Sequence, residues 1–320
     1  MRVVYFVASH VHPPQIVRLV HALLRSGPGS RVVLNHDYSV SYLDPAPFAG
    51  LDRVAFVEGQ RSPGWGTFRQ IAMLLNALRW ISERDQPDWI VYLTGQCYPI
   101  MPLPAIERFL ATTPHHGFVG LHRRVDPTRM QDAEDREFVD RYFFAHHPLP
   151  QVPWAARVSG TMRGAGARIR LAFNRSQPLL RLRAGALGNP PTIGVRALRP
   201  PFSAARPCYK GSPWWTLSAR AVRHLLGFVD EHPEYVRHYR HVFAPNESFV
   251  HSVLFNAPEL DILRDSCRFI RWTGGGSHPD TLRAQDFPAL AASGKHFARK
   301  VDARVDPALL DLLDAHLATG

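Results

Sequence analysis

No stretch of this chain approaches the roughly 20 consecutive apolar residues needed to cross a bilayer. The opening Met1-Arg2-Val3-Val4-Tyr5-Phe6-Val7-Ala8 is apolar, but Ser9, His10 and His12 interrupt it too early for a secretory signal. Cysteine is scarce. Cys97, Cys208 and Cys267 are far apart and odd in number, so no disulfide framework is indicated and a reducing compartment is expected. The expected location is the cytoplasm, with room for peripheral contact with a membrane.

Phosphate-binding glycine motifs are also missing. There is no Gly-Lys-Ser/Thr loop and no GxGxxG run, and Gly64-Trp65-Gly66 lacks the third glycine, which argues against kinases and dehydrogenases. No DxD-like acidic run follows a strand, since Asp132-Ala133-Glu134-Asp135 belongs to a polar helical stretch. The histidine pairs at 10/12, 115/116 and 146/147 have no Cys or carboxylate partners at ligand spacing. Neither a metal nor another cofactor is therefore expected.

The most uneven absence is of acid. Between Asp140 and Asp230 there is no Asp or Glu, while fourteen Lys and Arg fall in that stretch and account for the whole net charge of +11. Three readings stay open for residues 141–229. The Gly-, Pro- and Ala-rich part from 157 to 207 could be a mobile, solvated insertion. The stretch could instead dock on anionic lipid or on an acidic acceptor. It could also bind nucleic acid, although few aromatics stand among the arginines to stack on bases.

What is present describes a globular chain of 320 residues, 45% hydrophobic and 20% charged, able to bury a large core as one domain or two joined ones. Val3–Ala8 reads as a buried strand, and Pro13-Pro14 opens an amphipathic helix that Ser26-Gly27-Pro28-Gly29 stops. Arg31–Leu34 is a second strand running into Asn35-His36-Asp37. Val54–Val57, a helix over 67–84 and a strand over 89–93 repeat the pattern, so a parallel α/β sheet begins the chain. Thr94-Gly95-Gln96-Cys97-Tyr98-Pro99 and His36-Asp37 lie at carboxyl strand ends, where open α/β sheets bind ligands. After about residue 120 the alternation degrades into a polar helix over 132–144 and the basic insertion. It resumes with a strand over 209–217, helices over 218–229 and 247–256, and a strand over 268–272.

Several residues could carry chemistry. Glu247 in Ala244-Pro245-Asn246-Glu247 is either a first-turn glutamate favoured by the helix dipole or a general base. Asp37 either caps an Asx turn or binds a nucleotide. Lys295, Arg299 and Lys300 form a cation cluster that could be a solvated face or could neutralise a departing diphosphate. Trp65, Trp214, Trp215 and Trp272 could fill the core or form a stacking floor for a sugar acceptor.

Seven pieces in order then carry a resemblance. They are His10 and Gln15 around the first helix start; Asn35-His36-Asp37; Trp65-Gly66; Leu93-Thr94-Gly95-Gln96-Cys97-Tyr98-Pro99-Ile100; Lys210-Gly211-Ser212-Pro213-Trp214-Trp215; Pro245-Asn246-Glu247; and Ser277-His278-Pro279 with Phe297-Ala298-Arg299-Lys300. In these the chain resembles the core-2/I-branching β-1,6-N-acetylglucosaminyltransferase family, glycosyltransferase family 14, which also contains peptide O-xylosyltransferases. The resemblance implies a GT-A-like α/β fold, a mixed sheet flanked by helices, carrying the basic insertion. It implies inverting, metal-independent transfer from a UDP-sugar, with N-acetylglucosamine leading by family frequency, to a glycan or other hydroxyl acceptor. Glu247 matches the family's catalytic base, Lys300 its diphosphate-binding lysine, Asp37 its uridine-contacting aspartate and Trp272 its acceptor-site tryptophan.

Cys97 and Asn246 stand where relatives often carry Asp. Some relatives have an arginine near position 278; here that cation must come from Lys295, Arg299 or Arg283. Animal relatives are membrane-anchored and disulfide-bonded, so a soluble, bacterial-type member is expected. The expected division is a nucleotide-sugar half over 1–120, the polar helix and basic insertion over 121–207, and an acceptor and catalytic half over 208–320. The alternative is a non-catalytic carbohydrate or anionic-surface binder that retains the fold.

Overall fold

The computed structural model describes residues 1–57, 66–150, 160–185, 189–273 and 278–318, with backbone alone for 160–165. The chain opens with β1 (Val3–Ser9), α1 (Pro13–Leu23), β2 (Arg31–His36), β3 (Val54–Phe56), α2 (Arg69–Arg84), β4 (Trp89–Thr94), β5 (Cys97–Pro99) and α3 (Leu103–Thr112). Next come β6 (Gly117–Val125), α4 (Ala133–Tyr142), β7 (Phe144–Pro148), α5 (Gly160–Ser176), β8 (Leu180–Arg183), β9 (Thr192–Arg196) and β10 (Cys208–Ser218). The last part holds α6 (Ala219–Glu231), α7 (Pro233–Tyr239), α8 (Phe249–Leu254), β11 (Ile262–Leu263), β12 (Arg268–Ile270), α9 (Phe287–Ala292), β13 (Phe297–Arg299) and α10 (Pro307–Ala318).

The main sheet runs β11-β6-β10-β4-β1-β2-β3. β1 pairs in parallel with β2 and β4, and β2 with β3, as the repeated strand–helix–strand pattern predicts. β10 enters antiparallel between β4 and β6 and makes the sheet mixed. The result is an α/β arrangement, a mixed sheet flanked by helices. Residues before 120 and after 208 thus share one sheet. Successive β1 side chains face opposite ways. Val4 and Phe6 join the core under α2, α6 and α8, while Val3, Tyr5 and Val7 join the core under α1, α3 and α10. Burial on both faces explains why β1 reads as an unbroken apolar run. Among the described residues no helix is long and apolar enough to cross a membrane.

A second sheet, β12-β13-β5, sits beyond the carboxyl end of β4. Its register sets Arg299 opposite Cys97 and Phe297 opposite Pro99, which draws the C-terminal cation segment to the strand-end loop. Buried Arg268 ties the two sheets together by donating to the carbonyls of Tyr92 (3.3 Å) and Trp215 (3.2 Å). Gln15 pins the same corner. Its Nε2 donates to the carbonyls of Gly95 (2.9 Å) and Val301 (3.0 Å), and its Oε1 accepts from the Ala303 amide (2.8 Å).

Where it is described, the basic stretch holds more regular structure than an insertion rich in Gly, Pro and Ala predicts. It forms α5 and an antiparallel sheet ordered β7-β9-β8. Asn174 of α5 both donates to and accepts from Leu182 at the β8 edge (3.0 and 2.8 Å). Arg181 pairs with Asp140 (2.6 Å) and Arg183 with Glu137 (2.9 Å), so part of the basic excess fastens this sheet to α4.

Three buried histidines make the fold acid-sensitive. Burial pushes His251 down to about 3 and both His146 and His296 down to about 4. They stay neutral in the fold, whereas an unfolded histidine takes up a proton below about 6.5. Their contribution is therefore complete above that pH and is lost as the pH falls toward the folded values. At roughly 1–2 kcal/mol apiece by pH 5, the midpoint of thermal unfolding should drop by about 10 °C between pH 7.5 and 5. A flat pH profile of the midpoint would contradict this.

Candidate active site

A cavity of 510 Å3 opens where β1, β2 and β4 end, the place at which open α/β sheets take ligands. Its volume falls within the ~300–1,000 Å3 range of small-molecule sites. Ser9 and His10 reach it from β1, Asn35 and Asp37 from β2, and Thr94 to Gln96 from β4; later segments add Lys210, Trp214, Glu247, Trp272, His278 and Arg299. Asn35 Nδ2, Gln70 Oε1, Ser212 Oγ and Arg299 Nε around it are buried without a hydrogen-bond partner among the described residues. Buried polar atoms are nearly always bonded in folded proteins, so this concentration marks a place built for a polar ligand.

Glu247 ends a 3-10 turn (Pro245–Glu247), with Ser248 between it and the start of α8, rather than lying inside a helix that starts with it. The turn is entered through Ala244 at φ 51°, and the Ala244 amide donates to the Gly66 carbonyl at 2.9 Å. Arg141 Nη1 lies 3.1 Å and Lys210 Nζ 3.8 Å from Glu247 Oε2. Oε1 accepts no hydrogen bond among the described residues. The two cations fix one carboxylate oxygen and leave the other for a ligand. Arg141 also binds Glu137 (2.9 Å), whose Oε1 is shared with Arg183. Burial works against the Glu137 carboxylate, but Arg183 and Arg141 outweigh it and hold its pKa below the ordinary value.

Lys210 stands on β10 next to a register shift against β6 that runs from Lys210 to Trp215. Gly211 permits it: a Cβ there would lie 2.0 Å from the Gly120 carbonyl oxygen and 2.5 Å from His251 Cδ2. Burial lowers the Lys210 pKa against the opposing pull of Glu247. Its Nζ lies 2.7 Å from His122 Nδ1. Partial burial, then the charges of Lys210 and Arg123, push His122 down to about 4. The ammonium can only donate, so neutral His122 accepts at Nδ1 and carries its proton on Nε2.

Arg299 reaches the cavity from β13. Its guanidinium donates to Thr94 Oγ1 and stacks 4.1 Å from the centroid of the Trp214 ring. Among the described residues it has no carboxylate partner. An aspartate in place of Cys97, opposite it in register, would supply one. Trp214 and Trp215 diverge, as neighbours on a strand do. Trp214 lines the cavity, whereas Trp215 is 1% exposed in the core and stacks on Tyr92 at 5.2 Å. The acceptor-binding expectation for Trp215 is therefore corrected: it is a core residue.

The other expected positions divide. Asp37 lines the cavity and also closes an Asx turn, its Oδ1 accepting from the Ser39 amide (3.0 Å) and hydroxyl (2.6 Å). Trp272 lines the cavity and is 52% exposed. Lys295 is paired with Asp265 and does not line the cavity. Lys300 does not line it either, although its charge helps lower the pKa of His12 after burial and Arg304. Trp65 lies outside the described residues. Arg141, Lys210 and His122 were not singled out from the sequence; Lys210 had a signal, a lysine embedded in the strand-forming Lys210-Gly211-Ser212-Pro213-Trp214-Trp215.

Residues 183–291 match the family model described as Core-2/I-Branching enzyme. Xylosyltransferase 2 of Rattus norvegicus is 29% identical over 127 residues, covering 33% of this chain and 14% of that protein. Xylosyltransferase 1 of Homo sapiens is 28% identical over 125 residues, covering 33% and 13%. The chain thus matches only about a seventh of the length of these curated relatives. The crystal structure of mouse Xyloside xylosyltransferase 1 in its apo form aligns over 93% of this chain and 97% of its own, at 11% identity and a TM-score of 0.40.

Proposed function

We propose that the chain is an inverting glycosyltransferase that moves a sugar from a UDP-sugar to an acceptor hydroxyl without a divalent metal. The observation that carries this reading is that Glu247 and Arg299 line the same cavity. In the proposed step Glu247 takes the proton of the acceptor hydroxyl while that oxygen attacks the anomeric carbon from the face away from the diphosphate. The bond from the anomeric carbon to the diphosphate oxygen breaks, and its electron pair departs with UDP. Arg299 meets the charge that develops, and Lys300, adjacent in the chain but outside the cavity lining, adds its charge from farther off. Lys295 has no part, because Asp265 occupies it. Asp37 holds the uridine, and Trp272 and Trp214 supply apolar faces to the sugars. Arg141 and Lys210 keep the Glu247 carboxylate in place.

N-acetylglucosamine is the donor sugar favoured by family frequency, and the names of the curated relatives add xylose. UDP release from UDP-N-acetylglucosamine and UDP-xylose, measured in excess EDTA, tests the reading. Release of UDP from at least one donor, unchanged by the chelator, is the expected result. A strict requirement for manganese would end the metal-free mechanism. Silence with every UDP-sugar, alongside intact UDP binding, would leave a carbohydrate binder instead of an enzyme.

A further inference from the structure

The basic sheet carries a surface that glycosyl transfer does not use. Arg181 and Arg183 are spent on Asp140 and Glu137, whereas Arg168, Arg170, Arg175 and Arg199 have no acidic partner among the described residues. Large aliphatic side chains stand exposed among them: Leu198 at 95%, Ile169 at 71%, and also Leu171, Leu179 and Val195. Leu179 and Val195 belong to neighbouring backbone segments of the hairpin: the Leu179 carbonyl accepts from the Arg196 amide at 2.8 Å, and Val195 pairs with Leu180. On α5 the exposed residues Arg168, Ile169, Leu171, Ala172 and Arg175 share one broad face. Guanidinium groups interleaved with exposed aliphatic groups, with the carboxylates of Asp140 and Glu137 already paired to Arg181 and Arg183, suit an interface with phosphates at one level and acyl chains just below it.

We infer that the outer face of α5 and the β8–β9 hairpin docks this protein on an anionic lipid bilayer. Charge complementarity selects the partner's sign, since no acidic residue lies between Asp140 and Asp230 to oppose a negative surface. The aliphatic groups select a bilayer over a nucleic acid, which would be gripped by exposed aromatic rings; among the described residues none of the large hydrophobic ones exposed on this face is aromatic. The surface is held firmly to the rest of the fold, because Arg183, Glu137, Arg141 and Glu247 form one continuous chain of ion pairs.

Flotation of the full chain with phosphatidylcholine vesicles, pure or mixed two to one with phosphatidylglycerol, tests this. Binding should be confined to the mixed vesicles and should weaken with salt. Each arginine at such a surface is worth about five-fold in binding, so replacing Arg168, Arg175 and Arg199 together by Gln should cost on the order of 100-fold. Ile169→Ser combined with Leu198→Ser leaves the charge untouched and should cost about ten-fold. Unchanged melting temperatures confirm that both variants fold. Failure of the folded parent to float with mixed vesicles overturns the inference. So does binding that the aliphatic variant leaves intact and that DNA or heparin competes away, which would mark a general polyanion site.

Discussion

Glu247→Gln should lower the turnover of sugar transfer by roughly 10²–10⁴-fold while leaving UDP affinity within about two-fold of the parent. The amide keeps the size of the side chain and can still accept from Arg141, so the turn that carries it and the cavity wall should survive. What it cannot do is accept a proton from the attacking hydroxyl. A split between binding and turnover is therefore expected, and calorimetry with UDP alongside turnover with a UDP-sugar measures it. Full turnover by this variant would remove Glu247 from the mechanism. Loss of UDP binding in parallel with turnover would instead mark the residue as structural.

Arg299→Met should have the converse signature. It removes a charge that has no carboxylate partner among the described residues and that sits against Thr94 and Trp214 at the end of β4. Losing one preorganised donor to a developing oxyanion costs about 10²–10³-fold, and here UDP affinity should fall as well, because the diphosphate is already charged in the ground state. Arg299→Lys should recover part of the loss by restoring charge without the planar fork. Melting temperature controls for the lost contact to Thr94. If Arg299→Met leaves both UDP affinity and kcat/KM unchanged while Lys300→Met abolishes them, the leaving-group cation is Lys300 and the roles proposed for the pair must be exchanged.

The first half of the fold is legible in the sequence because its signals are local. Val3–Ala8, the Pro13-Pro14 helix start and Trp89–Leu93 each declare themselves within one element, and each forms where periodicity expects it. The parts that were not legible depend on partners far along the chain. β5 reads as a loop because three residues suffice only when β13, some two hundred positions later, lies beside them. The stretch from 157 to 207 is poor in acid and rich in Gly and Pro, and Asp140 and Glu137 on a preceding helix supply counter-charges to its β8 arginines that no local pattern announces. Trp214 and Trp215 are equivalent as letters, and only the strand's alternation beside a bulge decides which faces the cavity. Lys210 and Arg141 looked like members of a charge surplus; their meaning comes from Glu247, which shares no local pattern with either.

The pairing of β13 with β5 also orders events in time. As the polypeptide is made, the segment bearing Glu247 leaves the ribosome well before the segment bearing Arg299, yet the parallel strands β1, β2 and β4 need neither to align. A nascent chain stalled between the two would hold its glutamate in a half-walled groove with no guanidinium to receive a nucleotide. Competence to grip the donor would therefore arrive late, when the strand carrying Arg299 closes on one that had been waiting since early in synthesis.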